Sequence, residues 1–354
     1  MESFPLIYDA LVGIVIIMTI GMLLCTKKIP RMSIGLSLVI AAIVIVLFGF
    51  APPLETIGTD RENYARMFEN SEKYVRDGYR DMGFVYFAYI CKLLTGGAMG
   101  AFVISAAVYI FAYLYYTNKL APHYAFFVFL ICMSSLEFTN HYYNGLRAGL
   151  AISFALIAIS KNMNKYIAII FGVMAISMHI SLALTIGGFI LTSRIKNTKL
   201  YYLFWGVLLV ALLLGVFNSF DQFATLLSST EDKRASRYLL GGDQGYKVGL
   251  RLDFIAYSAI PIIIGAYYIY KNKVQDFYYI HLYNTYLFCN GCWLVVSRMP
   301  YNNRLAYLSW FLMPFLLSYP LLQSKGVIIN NRKLKLICII LLIAGINYSL
   351  KYLR

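Results

Sequence analysis

Long apolar runs decide what this chain can become. Stretches of about 17–22 apolar residues recur along it, long enough for a helix to cross a hydrocarbon core. In such a core every backbone N–H and C=O must be satisfied inside its own segment, so the runs read as transmembrane helices. A transmembrane barrel would instead show weakly alternating segments of about ten residues. Composition agrees: 60% of the 354 residues are hydrophobic and 13% charged, with mean hydropathy +0.67, where a soluble domain carries roughly a quarter charged. The expected fold is all-α and polytopic, with about 10–12 transmembrane helices. The first run lacks a basic leader and a small-residue cleavage site, so it reads as a retained span.

Spans are expected at 5–25, 34–51, 98–116, 123–139, 145–160, 200–217, 252–270, 280–297, 304–322 and 335–351. Two segments are ambiguous. Residues 82–95 are short and aromatic-rich, suited to an interfacial or re-entrant helix. Residues 166–192 are too long for one upright span, and read as one tilted helix or as two half-helices meeting near His179. The whole of 1–354 reads as one transmembrane domain with extracytoplasmic loops at 52–97 and 218–250.

The formal net charge of +15 would suggest nucleic acid in a soluble protein. Here it concerns topology. Loops 26–33, 117–122, 160–165, 193–199, 271–279 and 323–335 are rich in Lys and Arg, with Asp276 their one acid, and read as cytoplasmic. Acids gather in 55–81 and 221–253, which read as extracytoplasmic. This orientation needs 82–95 not to cross and 166–192 to turn back near His179. The competing parity, with 82–95 crossing and 166–192 a single helix, puts Lys161 and Lys165 outside.

No phosphate-gripping G-x-x-x-x-G-K-[ST], H-E-x-x-H or G-x-S-x-G motif is present. Cys289-x-x-Cys292 has metal or redox spacing but lies inside a span without a partner pair, so no metal or other cofactor is expected. What remains is polar residues near span ends. Arg147 stands in HYYNGLRAGLA between Gly145 and Gly149. It reads either as a snorkelling arginine beside a G-x-x-x-G packing face or as a planar fork for phosphate, with Asn144 beside it. His179, in AISMHIS, is a packing residue or a general base at a helix break. Arg251 and Asp253 in KVGLRLDF form a structural ion pair, or a phosphate contact with a carboxylate that orients an acceptor hydroxyl. Arg298 and Arg304 flank SRMPYNNR and run against the positive-inside trend, which calls for an anionic partner. Asp60 and Tyr64 follow the second span in a loop that otherwise reads as a solvated face. GGDQG at 241–245 would let the second long loop bend.

Taken in order, several segments resemble the EpsG/Wzy family of bacterial polysaccharide polymerases. They are GTDRENYARMF, RDMGFVYFAYICKLL (its acid Asp81 offset from the family's usual Glu), YNGLRAGLAISFALIAIS, KYIAIIFGVMAISMHISLAL, KVGLRLDF and NNRLAYLSWFLMPFLL, covering roughly residues 55–322. The resemblance implies a GT-C-like glycosyltransferase of the bacterial cytoplasmic membrane that works without a metal. Its partners would be undecaprenyl-diphosphate-linked glycans, membrane lipids and a chain-length regulator, not nucleic acid. Joined to the residues above, it assigns Arg147, Arg251, Arg298, Arg304, Asn144 and Tyr64 to the diphosphate or glycan. His179, Asp253 or Asp60 then accepts the proton of the attacking hydroxyl. A glycan ligase would share this apparatus with another acceptor. A flippase or transporter would need midplane charge and commonly repeated halves, and no repeat is visible.

Overall fold

A computed structural model describes residues 3–51, 60–79, 81–219, 249–299, 302–323 and 329–352. Residues 52–59 and most of the second long loop, GGDQG included, lie outside the described residues. Among those described there is helix and no strand. The helices are α1 Ser3–Cys25, α2 Ile34–Gly49, α3 Arg61–Glu69, α4 Ser71–Asp77, α5 Met82–Thr95, α6 Ala98–Leu120, α7 Ala125–Met133, α8 Leu136–Tyr143, α9 Leu146–Ala158, α10 Lys165–Met178, α11 Leu182–Arg194, α12 Thr198–Leu213, α13 Leu252–Ala266, α14 Phe277–Val296, α15 Asn302–Trp310, α16 Met313–Gln323 and α17 Arg332–Tyr352. They fall into two compact units, Met1–Ile186 with Leu317–Arg354, and Gly187–Leu316.

Five stretches among the described residues are long and apolar enough to cross a membrane: Phe4–Cys25, Ala98–Leu120, Leu252–Lys271, Asn302–Gln323 and Arg332–Tyr352. Their neighbours are turned inside out relative to a soluble protein. Large aliphatic side chains such as Ile17 and Met18 of α1, Ile169 and Val173 of α10, and Leu203 and Val210 of α12 point outward, while Ser105, Thr117, Ser153 and Asn290 are buried. Water would penalise that arrangement, and lipid tails favour it. The chain is a polytopic helical membrane protein.

In the first unit, α6 packs against α2, α5, α7 and α9, and α9 packs against α10. The segment after α2 is solvated along much of its length but turns one face inward. Helix α3 buries Arg61, Tyr64, Ala65 and Phe68, the i, i+3, i+4, i+7 stripe of an amphipathic helix. Arg61 is fully buried. Its Nε donates to the Ala51 carbonyl at 2.9 Å and its Nη2 to those of Phe48 and Gly49 at 2.9 and 3.1 Å, at the negative end of α2. Its guanidinium lies 3.7 Å over the Phe102 ring.

The expected span at 123–139 and the ambiguous run at 166–192 are both interrupted. The run at 123–139 divides at Ser134 and Ser135 into α7 and α8, where both hydroxyls donate back to carbonyls of the preceding turn. The run at 166–192 divides at His179, whose backbone is extended (φ −156°, ψ 107°). A methyl group on Gly172 of α10 would sit 3.7 Å from Ile186 of α11, so the two half-helices fold back on each other instead of continuing as one rod. At 1.5 Å per residue each is roughly 20 Å long, too short to span alone.

In the second unit, α14 packs against α12, α13 and α15. Asn290 is the joint: it accepts from Trp205 Nε1 at 2.9 Å and donates to the hydroxyls of Ser258 and Ser309 at 3.1 Å each. Such interhelical polar contacts hold helices together where lipid removes the hydrophobic drive for packing.

Candidate functional site

A carboxylate, a guanidinium and an imidazole meet in the first unit, at the break between α10 and α11. Asp81 precedes α5 in the N-cap position, yet its carboxylate makes no cap hydrogen bond to its own helix. It reaches outward instead. Arg147, the second residue of α9, donates from Nη1 to Asp81 Oδ2 at 2.8 Å and to the Tyr79 hydroxyl at 3.2 Å. The Ile180 amide donates to Asp81 Oδ1 at 3.4 Å. His179 Nδ1 lies 3.6 Å from Asp81 Oδ2, buried and without a hydrogen-bond partner. The Tyr64 hydroxyl, from α3, acts on the same guanidinium.

Glycines allow the approach. A methyl on Gly83 of α5 would sit 2.7 Å from the Ser177 backbone carbon of α10, so only a glycine lets α5 bring Asp81 to the break. A methyl on Gly149 would sit 2.9 Å from the His141 carbonyl oxygen. Gly149 therefore fits α9 against the helix just before it, α8, and sets Arg147 in place. The sequence pattern did not single out His141, which is buried in α8.

The electrostatics follow. Asp81 is 4% exposed. Burial alone would raise its carboxyl above the ordinary value. His179, the Arg147 charge and the Ile180 amide outweigh that and hold it below. The carboxylate is therefore ionised and a weak base. Arg147 is only part-buried: its side chain keeps 24% exposure, and its Nε is buried without a partner. It also stands at the positive end of α9, where an anion is favoured. The His179 side chain is 28% exposed. An anionic group arriving here would meet guanidinium, helix terminus and imidazole together.

The other sequence-derived candidates are placed as follows. Asn144 ends α8 and donates to Asn140 Oδ1 at 3.2 Å. Asp60 stands at the start of α3 and accepts from Asn63 at 3.4 Å. In the second unit, Arg251 and Asp253 form a two-pronged ion pair at 3.1 and 3.0 Å, with the guanidinium 3.9 Å over the Phe254 ring. Arg298 Nη2 donates to the Leu212 carbonyl at 3.5 Å, and its Nε is buried without a partner. Arg304 is exposed in the first turn of α15. Among the described residues no group of His, Cys, Asp or Glu could hold a metal ion.

Compared with known families, the chain matches EpsG over residues 36–353. The chain belongs to the EpsG family. Both halves of the site, the Asp81 helix and the His179 break, fall inside the matched region. EpsG membership points to a polysaccharide-polymerase type of function, and the apolar helices put it in a membrane. No curated protein and no solved structure shows a significant match.

Proposed function

We propose that this protein is a membrane glycosyltransferase that joins oligosaccharide repeat units carried on undecaprenyl diphosphate into a surface polysaccharide, at the outer face of the bacterial cytoplasmic membrane. The observation that carries the reading is Arg147: a part-buried guanidinium beside a histidine at a helix break, in a chain of the EpsG family. In the proposed reaction a hydroxyl of the acceptor repeat attacks the anomeric carbon of the donor glycan. The new C–O bond forms as the bond to diphosphate breaks, and that electron pair stays on the diphosphate oxygen. Arg147 neutralises the charge as it leaves. His179 accepts the hydroxyl proton. Asp81 is too weak a base for that task.

Complementation tests it. The gene is deleted in its host, wild type or Arg147→Ala is returned at matched membrane abundance, and surface and lipid-linked glycans are resolved by repeat number. The proposal expects single-repeat glycan from the deletion and from Arg147→Ala, and a ladder from wild type. A normal ladder in the deletion strain would end it. Repeat units stranded on the cytoplasmic side would point to a flippase instead.

A further inference from the structure

Asp81 touches both groups on which the proposed chemistry depends, and no role in binding or proton transfer has been assigned to it above. Its Oδ2 takes the Arg147 Nη1 proton at 2.8 Å and faces His179 Nδ1 at 3.6 Å, while its Oδ1 takes the Ile180 amide at 3.4 Å. An aspartate whose carboxylate leaves its own helix uncapped to reach three groups on other elements is held there for those groups.

We propose that Asp81 is the positioning residue of this site, fixing the Arg147 fork and orienting His179 so that Nδ1 carries a proton toward the carboxylate and Nε2 is left bare to accept one. The chemistry rests on the polymerase reading; the geometry does not. At 3.6 Å the His179–Asp81 contact is longer than a hydrogen bond. Nδ1 is buried with no other partner, so a small ring rotation satisfies it and relieves the cost of a buried polar atom left alone. Catalytic contacts that are long in an empty site commonly tighten when substrate binds. Once Nδ1–H is committed to a carboxylate, the tautomer and ring orientation are set, and the imidazolium formed on proton uptake gains a counter-charge. The same carboxylate holds Nη1 of a guanidinium whose side chain stays 24% exposed, which leaves that exposed part for an anion.

The test reads the proton directly. Protein labelled with 15N-histidine is placed in bilayers at pH 8, and nitrogen resonances report which ring nitrogen bears hydrogen. The chain has four histidines, so His179→Gln identifies the signal. The expected spectrum shows protonated Nδ1 and bare Nε2 at His179 in wild type, and a changed proton distribution in Asp81→Asn. A proton on Nε2 in wild type, or a His179 signal unmoved by Asp81→Asn, overturns the proposal. Kinetics on lipid-linked repeat units give the second reading. Asp81→Asn loses about a hundredfold in kcat; an unchanged kcat, or a loss carried by KM alone, counts against it. Should wild type fail to elongate these substrates, the polymerase reading falls, while the tautomer result stands or falls by itself.

Discussion

Arg61 and Arg147 belong to the same unit, and both are arginines close to helix ends, yet they do opposite things. Arg61 is sealed. Three carbonyl oxygens and an aromatic face surround it, and it has no exposed surface. Those partners are neutral and built into the chain, so no ligand can displace them. Arg147 has a carboxylate for its main partner and keeps part of its side chain open. A carboxylate is a partner that another anion can rival. The lesson is that a buried arginine declares its role through the chemistry of what holds it. Carbonyls and rings mark a helix cap; a shared carboxylate beside a histidine marks a candidate site.

The largest effect expected from this contrast is on folding. Arg61→Ala removes three charge-assisted hydrogen bonds and a cation–π contact, and should cost about 3–5 kcal/mol. Membrane abundance and melting in detergent would show it. A variant that melts like wild type yet makes no polymer would reverse the roles of the two arginines.

Gly83→Val sharpens the comparison at the site end. Its Cβ would meet the Ser177 backbone carbon at 2.7 Å, forcing α5 away from α10 and Asp81 away from His179. Overpacking of this kind costs about 1–3 kcal/mol. Activity should fall further than stability does, when both are measured on the same purified sample; equal losses would mean that the close approach serves packing alone.

The smallest effect is a pH dependence. The folded-state carboxyl of Asp81 is held below its ordinary value of 3.8. Its contribution to stability is therefore full above that value and is lost as pH falls through the depressed folded one. The melting temperatures of wild type and Asp81→Asn should differ at pH 7 and converge below pH 3.8. A gap that persists or widens in acid would show that the charge of Asp81 is not what Arg147 and His179 stabilise.

How much of this was legible beforehand differs from residue to residue. The spans that became α1, α2, α6 and α17 were readable because a bilayer selects for length and apolarity, and both are local properties. The break at His179 was half legible: 27 residues from 166 to 192 exceed one upright span, but length alone fits one tilted helix as well as two half-helices. The division of 123–139 was not, because Ser134 and Ser135 do not interrupt an apolar average. Helix α3 was hidden by its charges, since Arg61 looks solvated until Phe48, Ala51 and Phe102 are seen around it. Arg147 could be singled out as a guanidinium between apolar runs, but its partner could not. Asp81 is 66 residues away from it and looks like an ordinary helix cap. Only Gly83, out of place one residue into an apolar helix, hinted that another backbone comes close there.

The central claim is that Arg147 meets the lipid diphosphate, and binding tests it without any need for turnover. Arg147→Lys keeps a positive charge beside Asp81, so the fold is spared, but it loses the planar fork. Undecaprenyl diphosphate would be titrated onto purified wild type and Arg147→Lys in nanodiscs. The variant is expected to bind at least about tenfold more weakly, a loss of roughly 1.4 kcal/mol. Equal affinity for the two proteins would contradict it, and would leave Arg147 as an internal counter-ion to Asp81.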